Sequence, residues 1–198
     1  MRIIEPLEAG KVYHIYNRGI NGADIFNEKR NYYYFLNKYQ KYCNCILETY
    51  AYALLKNHFH LLVKVKENIF VPGKDGKGDI ELKASRQLSH FFNSYAQSFN
   101  KAYHRHGKLL EEPFRRKSIE NDTYFTSLIY YIHFNPQYHQ FVKDFRKWEF
   151  TSWHSILDEN TSLISREKIV EWFGSKEQFI AAHLGNMPVN NNSELLFE

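Results

Sequence analysis

The residues best placed to do chemistry lie at Asn57-His58-Phe59-His60-Leu61-Leu62-Val63. Alternate side chains of a strand share a face. Phe59, Leu61, Val63 and Val65 then point one way, toward a core. His58, His60, Leu62 and Lys64 point the other way. Two imidazoles two residues apart on a strand are ~7 Å apart at the backbone and can converge on one divalent ion. Such pairs are often plain polar surface, so the alternation allows a metal site without selecting one. A second His-x-His, His104-Arg105-His106, stands beside Gly107 with no alternating apolar partners. Nothing there fixes the two rings, and they read as solvated.

The second chemical feature is a helix expected over 122–135. Phe125, Leu128, Ile129 and Ile132 form a core-facing stripe at i, i+3, i+4 and i+7. Tyr131 borders that stripe, and Asn135, four residues on, projects from the same flank. A phenol beside a metal-ligating amide could attack a metal-polarised phosphate. With 15 tyrosines in the chain, periodicity alone reads Tyr131 as a core-edge residue. Pro136 disfavours helical geometry at Asn135, so the spacing leaves the pairing open. His14, His90, His133, His139, His154 and His183 stand alone in sequence and read as ordinary polar or half-buried residues. Gly73 and Gly78 have phosphate-loop spacing, but Asp79 stands where that motif needs Lys.

These groups need elements to position them. Residues 11–18 alternate and are β-branched or aromatic, which predicts a strand. Tyr33, Leu36, Tyr39 and Tyr42 predict a helix over 27–44. Residues 46–55 and 58–65 read as strands joined tightly at Lys56-Asn57, a hairpin. Residues 68–82, rich in Gly, Pro and charge, read as an exposed mobile loop. A long helix is expected over 83–103, a basic strand over 114–121, and a helix capped by Asp122 thereafter. An aromatic-rich segment, WEFTSWHSIL, and a helix near 166–173 follow, and 186–198 read as a frayed polar tail. The order β-α-β-β-α-β-α predicts an α+β, ferredoxin-like antiparallel sheet, the His-x-His strand central and the helices packed on one face.

Composition narrows the class. At 198 residues the chain is one domain or two small ones. Hydrophobic residues at 43% and charged residues at 24% exclude collagen-like, mucin-like and wholly disordered classes. No apolar run approaches the ~20 residues that span a bilayer. The start lacks the pattern of a signal peptide, so a cytoplasmic location is expected, with no membrane partner. The pI of 8.9 is just below the ~9 that flags nucleic-acid binding. Cys43 and Cys45 are too close in sequence for an easy disulfide and too few for a zinc site, so they read as reduced.

Four motifs occur in order: YHIYNRG, NHFHLLV, FRRKS and YIHFNP. Together they resemble the insertion-sequence single-tyrosine transposases of the HUH single-strand nuclease superfamily, in particular the REP-associated tyrosine transposases. The resemblance covers roughly residues 10–155. It divides the chain into a transposase domain over 1–155 and a C-terminal helical extension with a polar tail over 156–198. It implies that His58 and His60 bind Mg²⁺ or Mn²⁺ and that Asn135 is the third metal ligand. It implies Tyr131 as the nucleophile that forms a 5′-phosphotyrosine intermediate. Arg18, Arg115, Arg116 and Lys117 become candidate contacts to single-stranded or hairpin DNA, with the protein a monomer or homodimer. A rolling-circle replication initiator shares the histidine pair but fits Tyr-Ile-His-Phe-Asn-Pro poorly. A non-catalytic nucleic-acid-binding module would explain the charge and the aromatics, but not the four site residues together.

Overall fold

Val12, Tyr13, Ile15 and Tyr16 make β1 (Val12–Arg18) a strand of branched and aromatic residues. It is followed by α1 (Lys29–Cys43), β2 (Leu47–Leu54) and β3 (His58–Val65). Two short strands come next, β4 (Phe70–Pro72) and β5 (Asp79–Glu81), then α2 (Ala84–Ala102), β6 (Arg115–Ile119) and α3 (Asp122–Tyr138). Three more helices follow among the described residues: α4 (Ser152–Leu157), α5 (Arg166–Phe173) and α6 (Lys176–Gly185). The structure is a computed structural model that describes residues 5–67, 69–72, 79–159 and 163–185. The phosphate-loop spacing at 73–78 and the tail at 186–198 lie outside the described residues.

The main sheet has four strands in the order β2-β3-β1-β6, every neighbouring pair antiparallel. This is the ferredoxin-like α+β order, with β3 inside the sheet as expected. The register sorts the side chains into two faces, because directly opposed residues share a side. Phe59 opposes Asn17, and Leu61 opposes Ile15; His58 opposes Arg18, and His60 opposes Tyr16.

The expectation of helices on one face holds for α1 and α2 only. Phe35 of α1 and Phe92 of α2 pack on Phe59, with ring centroids 5.1 Å and 5.4 Å away. α3 lies on the opposite face: Tyr131 meets the His60 ring at 5.5 Å, and Phe125 meets Tyr50 at 5.4 Å. The reason is in β3, where Leu62 lies on the histidine side and is fully buried. Both faces therefore need a cover, and the stripe Phe125, Leu128, Ile129 and Ile132 supplies it. The C-terminal helices pack behind α3 and at β2. Trp172 donates to Thr126, Lys168 pairs with Glu48, and the Tyr52 amide donates to Ser152.

Three local expectations are corrected. The segment expected as one long loop at 68–82 carries a hairpin at its ends, with Phe70 opposite Glu81 and Pro72 opposite Asp79. Phe70 and Val71 before the turn formers are strand residues that the Gly-rich middle obscures. The N-cap of α3 is Asn121 rather than Asp122. Asn121 is extended, and its Oδ1 accepts the Tyr124 amide at 2.7 Å. Asp122 is instead the first helical residue, where its charge suits the helix dipole. Pro136 does not end the helix, which runs to Tyr138. The ring forgoes one backbone bond, and the ladder continues past it, the His139 amide donating to the Asn135 carbonyl at 3.0 Å. Cys43 and Cys45 are free, as expected.

Candidate active site

The site forms where α3 crosses the histidine face of β3. The strand fixes His58 and His60 on one side, and their rings stand edge to face with centroids 5.2 Å apart. Each ring is oriented through its Nδ1. His58 Nδ1 lies 2.8 Å from Asn57 Oδ1, and His60 Nδ1 lies 3.0 Å from His14 Nε2. A partner on Nδ1 is the usual way a metal-ligating imidazole is aimed. The continuing helix brings Tyr131 and Asn135 to the same place. Asn135 Oδ1 is 3.1 Å from His58 Nε2, and Tyr131 stands edge-on to His60.

The polar accounting is unusual. The Asn57 oxygen only accepts, so His58 donates Nδ1–H to it. His58 Nε2 then presents a lone pair toward Asn135. His60 Nε2 and Asn135 Nδ2 are buried with no hydrogen-bond partner among the described residues. An unsatisfied buried polar atom costs about 1–3 kcal/mol. A cation drawing on His58 Nε2, His60 Nε2 and Asn135 Oδ1 would use those lone pairs, so the residues fit a divalent metal. Among the described residues, no group of three or more His, Cys, Asp and Glu could hold a metal ion. The third donor would be the Asn135 amide, outside those residue types.

Burial also sets the protonation. It pushes His60 well below the ordinary histidine range, and neighbouring His14, His58 and His139 push the same way. His14 is lowered to about 3 by burial, with Lys117 adding to the effect. Both rings are neutral at pH 7, the form that binds metals.

A cavity of about 170 Å³ opens onto the histidines, lined by Tyr16, Asn17, Arg18, Asn57, Arg115 and His139 among others. Arg18 and Arg115 thus reach the site. Lys117 shares their face, opposite His14, with its ammonium 4.7 Å from the centre of the Tyr124 ring. Arg116 does not share that face. It opposes Ile15 in β1, so alternation turns it to the α1–α2 side. There its guanidinium lies 3.9 Å from the centre of the Phe114 ring. His104 and His106 are exposed, as read from sequence.

Sequence reasoning missed His14, Tyr16 and His139. His14 and Tyr16 alternate with Arg18 along β1, a signal that only the register against β3 makes useful. The His14 ring stacks on Tyr16 and lies nearly parallel to His60, to which it is hydrogen-bonded. His139, whose ring centre is 4.9 Å from that of His58, follows Pro136 and gave no signal, because the helix was expected to end before it.

Neither a protein-family model nor a curated protein matches the sequence. Among solved structures, one described as the REP-associated tyrosine transposase bound to a REP hairpin superposes with a TM-score of 0.58. The two chains are 16% identical, over 82% of this chain and 89% of that one. At that identity the likeness shows the fold. The chain therefore has the α+β fold of a tyrosine transposase.

Proposed function

We propose that this protein is a metal-dependent single-stranded DNA endonuclease and strand transferase, a transposase or a domesticated relative of one. The observation that carries the reading is the convergence of Tyr131 and Asn135 from α3 on His58 and His60 of β3, with His60 Nε2 buried and without a hydrogen-bond partner among the described residues. The likeness to a structure described as a tyrosine transposase on a REP hairpin supports single-stranded or hairpin DNA as the substrate. No helix among the described residues is long and apolar enough to cross a membrane. The reading places the protein in the cytoplasm, as a monomer or homodimer.

His58, His60 and Asn135 would hold Mg²⁺ or Mn²⁺, which when bound supplies a Lewis acid for the scissile phosphate. The rest is the work of the chain. Arg18, Arg115 and Lys117, on the histidine face, bind backbone phosphates. Tyr131 Oη attacks the phosphorus. The new O–P bond forms as the bond to the 3′ oxygen breaks, the phenol proton is lost, and the 3′ oxygen gains one. The 5′-phosphotyrosine keeps the phosphodiester energy, so a 3′-OH can reverse the step without ATP. Burial of Tyr131 between α3 and the sheet keeps bulk water from competing.

The test is incubation with Mn²⁺ and a pool of hairpin DNAs, followed by denaturing electrophoresis. A covalent protein–DNA adduct is expected. Retardation of DNA with no adduct would instead identify a non-catalytic binding module.

A further inference from the structure

Two arginines at the mouth of the histidine cavity are held by one carboxylate. Arg18 donates Nε to Glu111 Oε1 at 2.6 Å, and Arg115 donates Nη2 to Glu111 Oε2 at 3.2 Å. Glu111 is itself pinned to the exit of β1. Its amide donates to the Arg18 carbonyl at 2.9 Å, and its carbonyl accepts from Asn17 Nδ2 at 2.9 Å. The Ile20 amide donates to the Leu109 carbonyl, and Leu110 bridges to Gly19. The main chain of Glu111 is therefore fixed, and the arginines come to its carboxylate from β1 and β6. Arg18 opposes His58 and Arg115 opposes Tyr16, so both lie on the histidine face.

A carboxylate at the entrance to an anion site is unfavourable on charge alone, since it repels phosphate. Its compensation is geometric. Two guanidinium groups close together repel each other and swing on long side chains, and a bridging carboxylate offsets the repulsion and locks both. Glu111 occupies one donor of each fork and leaves the others for a ligand. Resting on the reading of the site as a DNA nuclease, we infer that Glu111 is a positioning residue. It holds Arg18 and Arg115 as a preformed seat for a backbone phosphate next to the histidines.

This inference predicts an effect opposite in sign to charge. Glu111→Ala removes a negative charge, so electrostatics alone predicts tighter DNA binding. Positioning predicts binding about five- to tenfold weaker at moderate salt, because both arginines become mobile. The probe is a fluorescent single-stranded oligonucleotide of mixed sequence, titrated into the full chain with the melting temperature followed in parallel. Glu111→Gln, which keeps size and one acceptor, serves should the alanine variant not fold, and is expected to bind about threefold more weakly than wild type. In a background with Arg18→Ala and Arg115→Ala, nothing remains to position, and Glu111→Ala is expected to leave binding equal or tighter. Tighter or unchanged binding by Glu111→Ala or Glu111→Gln with both arginines present would overturn the inference and make Glu111 a competitor of phosphate. Equal losses with and without the arginines would overturn it too, marking a structural defect. Failure of the wild type to bind the oligonucleotide would instead bring down the nuclease reading itself, and the seat with it.

Discussion

Two buried histidine pairs sit on opposite sides of α3, and they differ in one respect. His133 and His183 form a closed chain. The Phe179 carbonyl accepts from His183 Nδ1, which leaves His183 Nε2 to accept from His133 Nδ1 at 2.9 Å. His133 Nε2 then accepts from Ser152 Oγ at 2.7 Å, and Ser152 Oγ accepts the Tyr52 amide. Every ring nitrogen is used, and the direction of each bond follows from the one before. His14 and His60 also share a bond, but their chain is open, because His60 Nε2 has no partner among the described residues. Both pairs are buried and pushed toward the neutral form. Burial and a lowered pKa thus do not tell a binding site from a structural joint. The unspent ring nitrogen is what marks His60 as a candidate for binding.

The largest expected effect separates the two tyrosines that face these pairs. Tyr131 stands against His60, while Tyr130 stands against His183, ring centroids 4.7 Å apart. Tyr131→Phe keeps the ring and removes the proposed nucleophile, so the covalent adduct is expected to vanish with DNA binding retained. Tyr130→Phe is expected to form the adduct normally. Peptide mapping of the adduct checks this, and DNA on Tyr138, which is 47% exposed, would show the nucleophile to be misplaced.

Alanine at each pair comes next. His133→Ala orphans Ser152 and His183 in a packed region, at a cost of about 3–5 kcal/mol in stability. His60→Ala is expected to cost only about 1–2 kcal/mol and to abolish cleavage. Urea unfolding with the adduct assay measures both. A His60→Ala variant that still cleaves DNA would remove the metal assignment.

Mn²⁺ sharpens the same contrast without any substrate. A ligand at a hundredfold its Kd stabilises by about 2.7 kcal/mol, so the melting temperature of the wild type should rise by several degrees. The rise is expected to persist in His183→Gln and to vanish in His60→Ala.

Acid should act on both pairs alike. Their folded-state pKa values lie below the unfolded value of about 6.5, with His14 at about 3 and His183 at about 4. The unfolded chain therefore binds more protons as pH falls. Stability is full above about pH 6.5 and is lost progressively toward pH 4 and below. A drop in melting temperature on the order of 5–10 °C between pH 7 and pH 5 is expected. A flat profile there would mean that the buried rings are charged.

The smallest effect concerns neighbours in β6. Arg115 faces the cavity and Arg116 the opposite side. Arg115→Ala should flatten the salt dependence of single-strand binding by about 0.7 in log–log slope. Arg116→Ala should leave the slope unchanged, and equal changes would place DNA on both faces of the sheet.

The sequence by itself determined the elements and one half of the site. Alternation in NHFHLLV put His58 and His60 on one face of a strand, and the apolar stripe of 122–135 made a helix carrying Tyr131 and Asn135 on one flank. Both follow from periods of two and of 3.6 residues, which are local properties of the chain. Tertiary structure decided what faces what. Only the sheet register set His14 behind His60 and separated Arg115 from Arg116. Only the packing of α3 over the buried Leu62 brought Tyr131 to His60. The continuation of α3 through Pro136 placed Asn135 against His58, where local propensity argued for an end. His133 and His183, 50 residues apart, carry no mutual signal in the sequence. Hydrogen bonds between side chains so distant along the chain depend on the path of the backbone, which spacing alone does not encode.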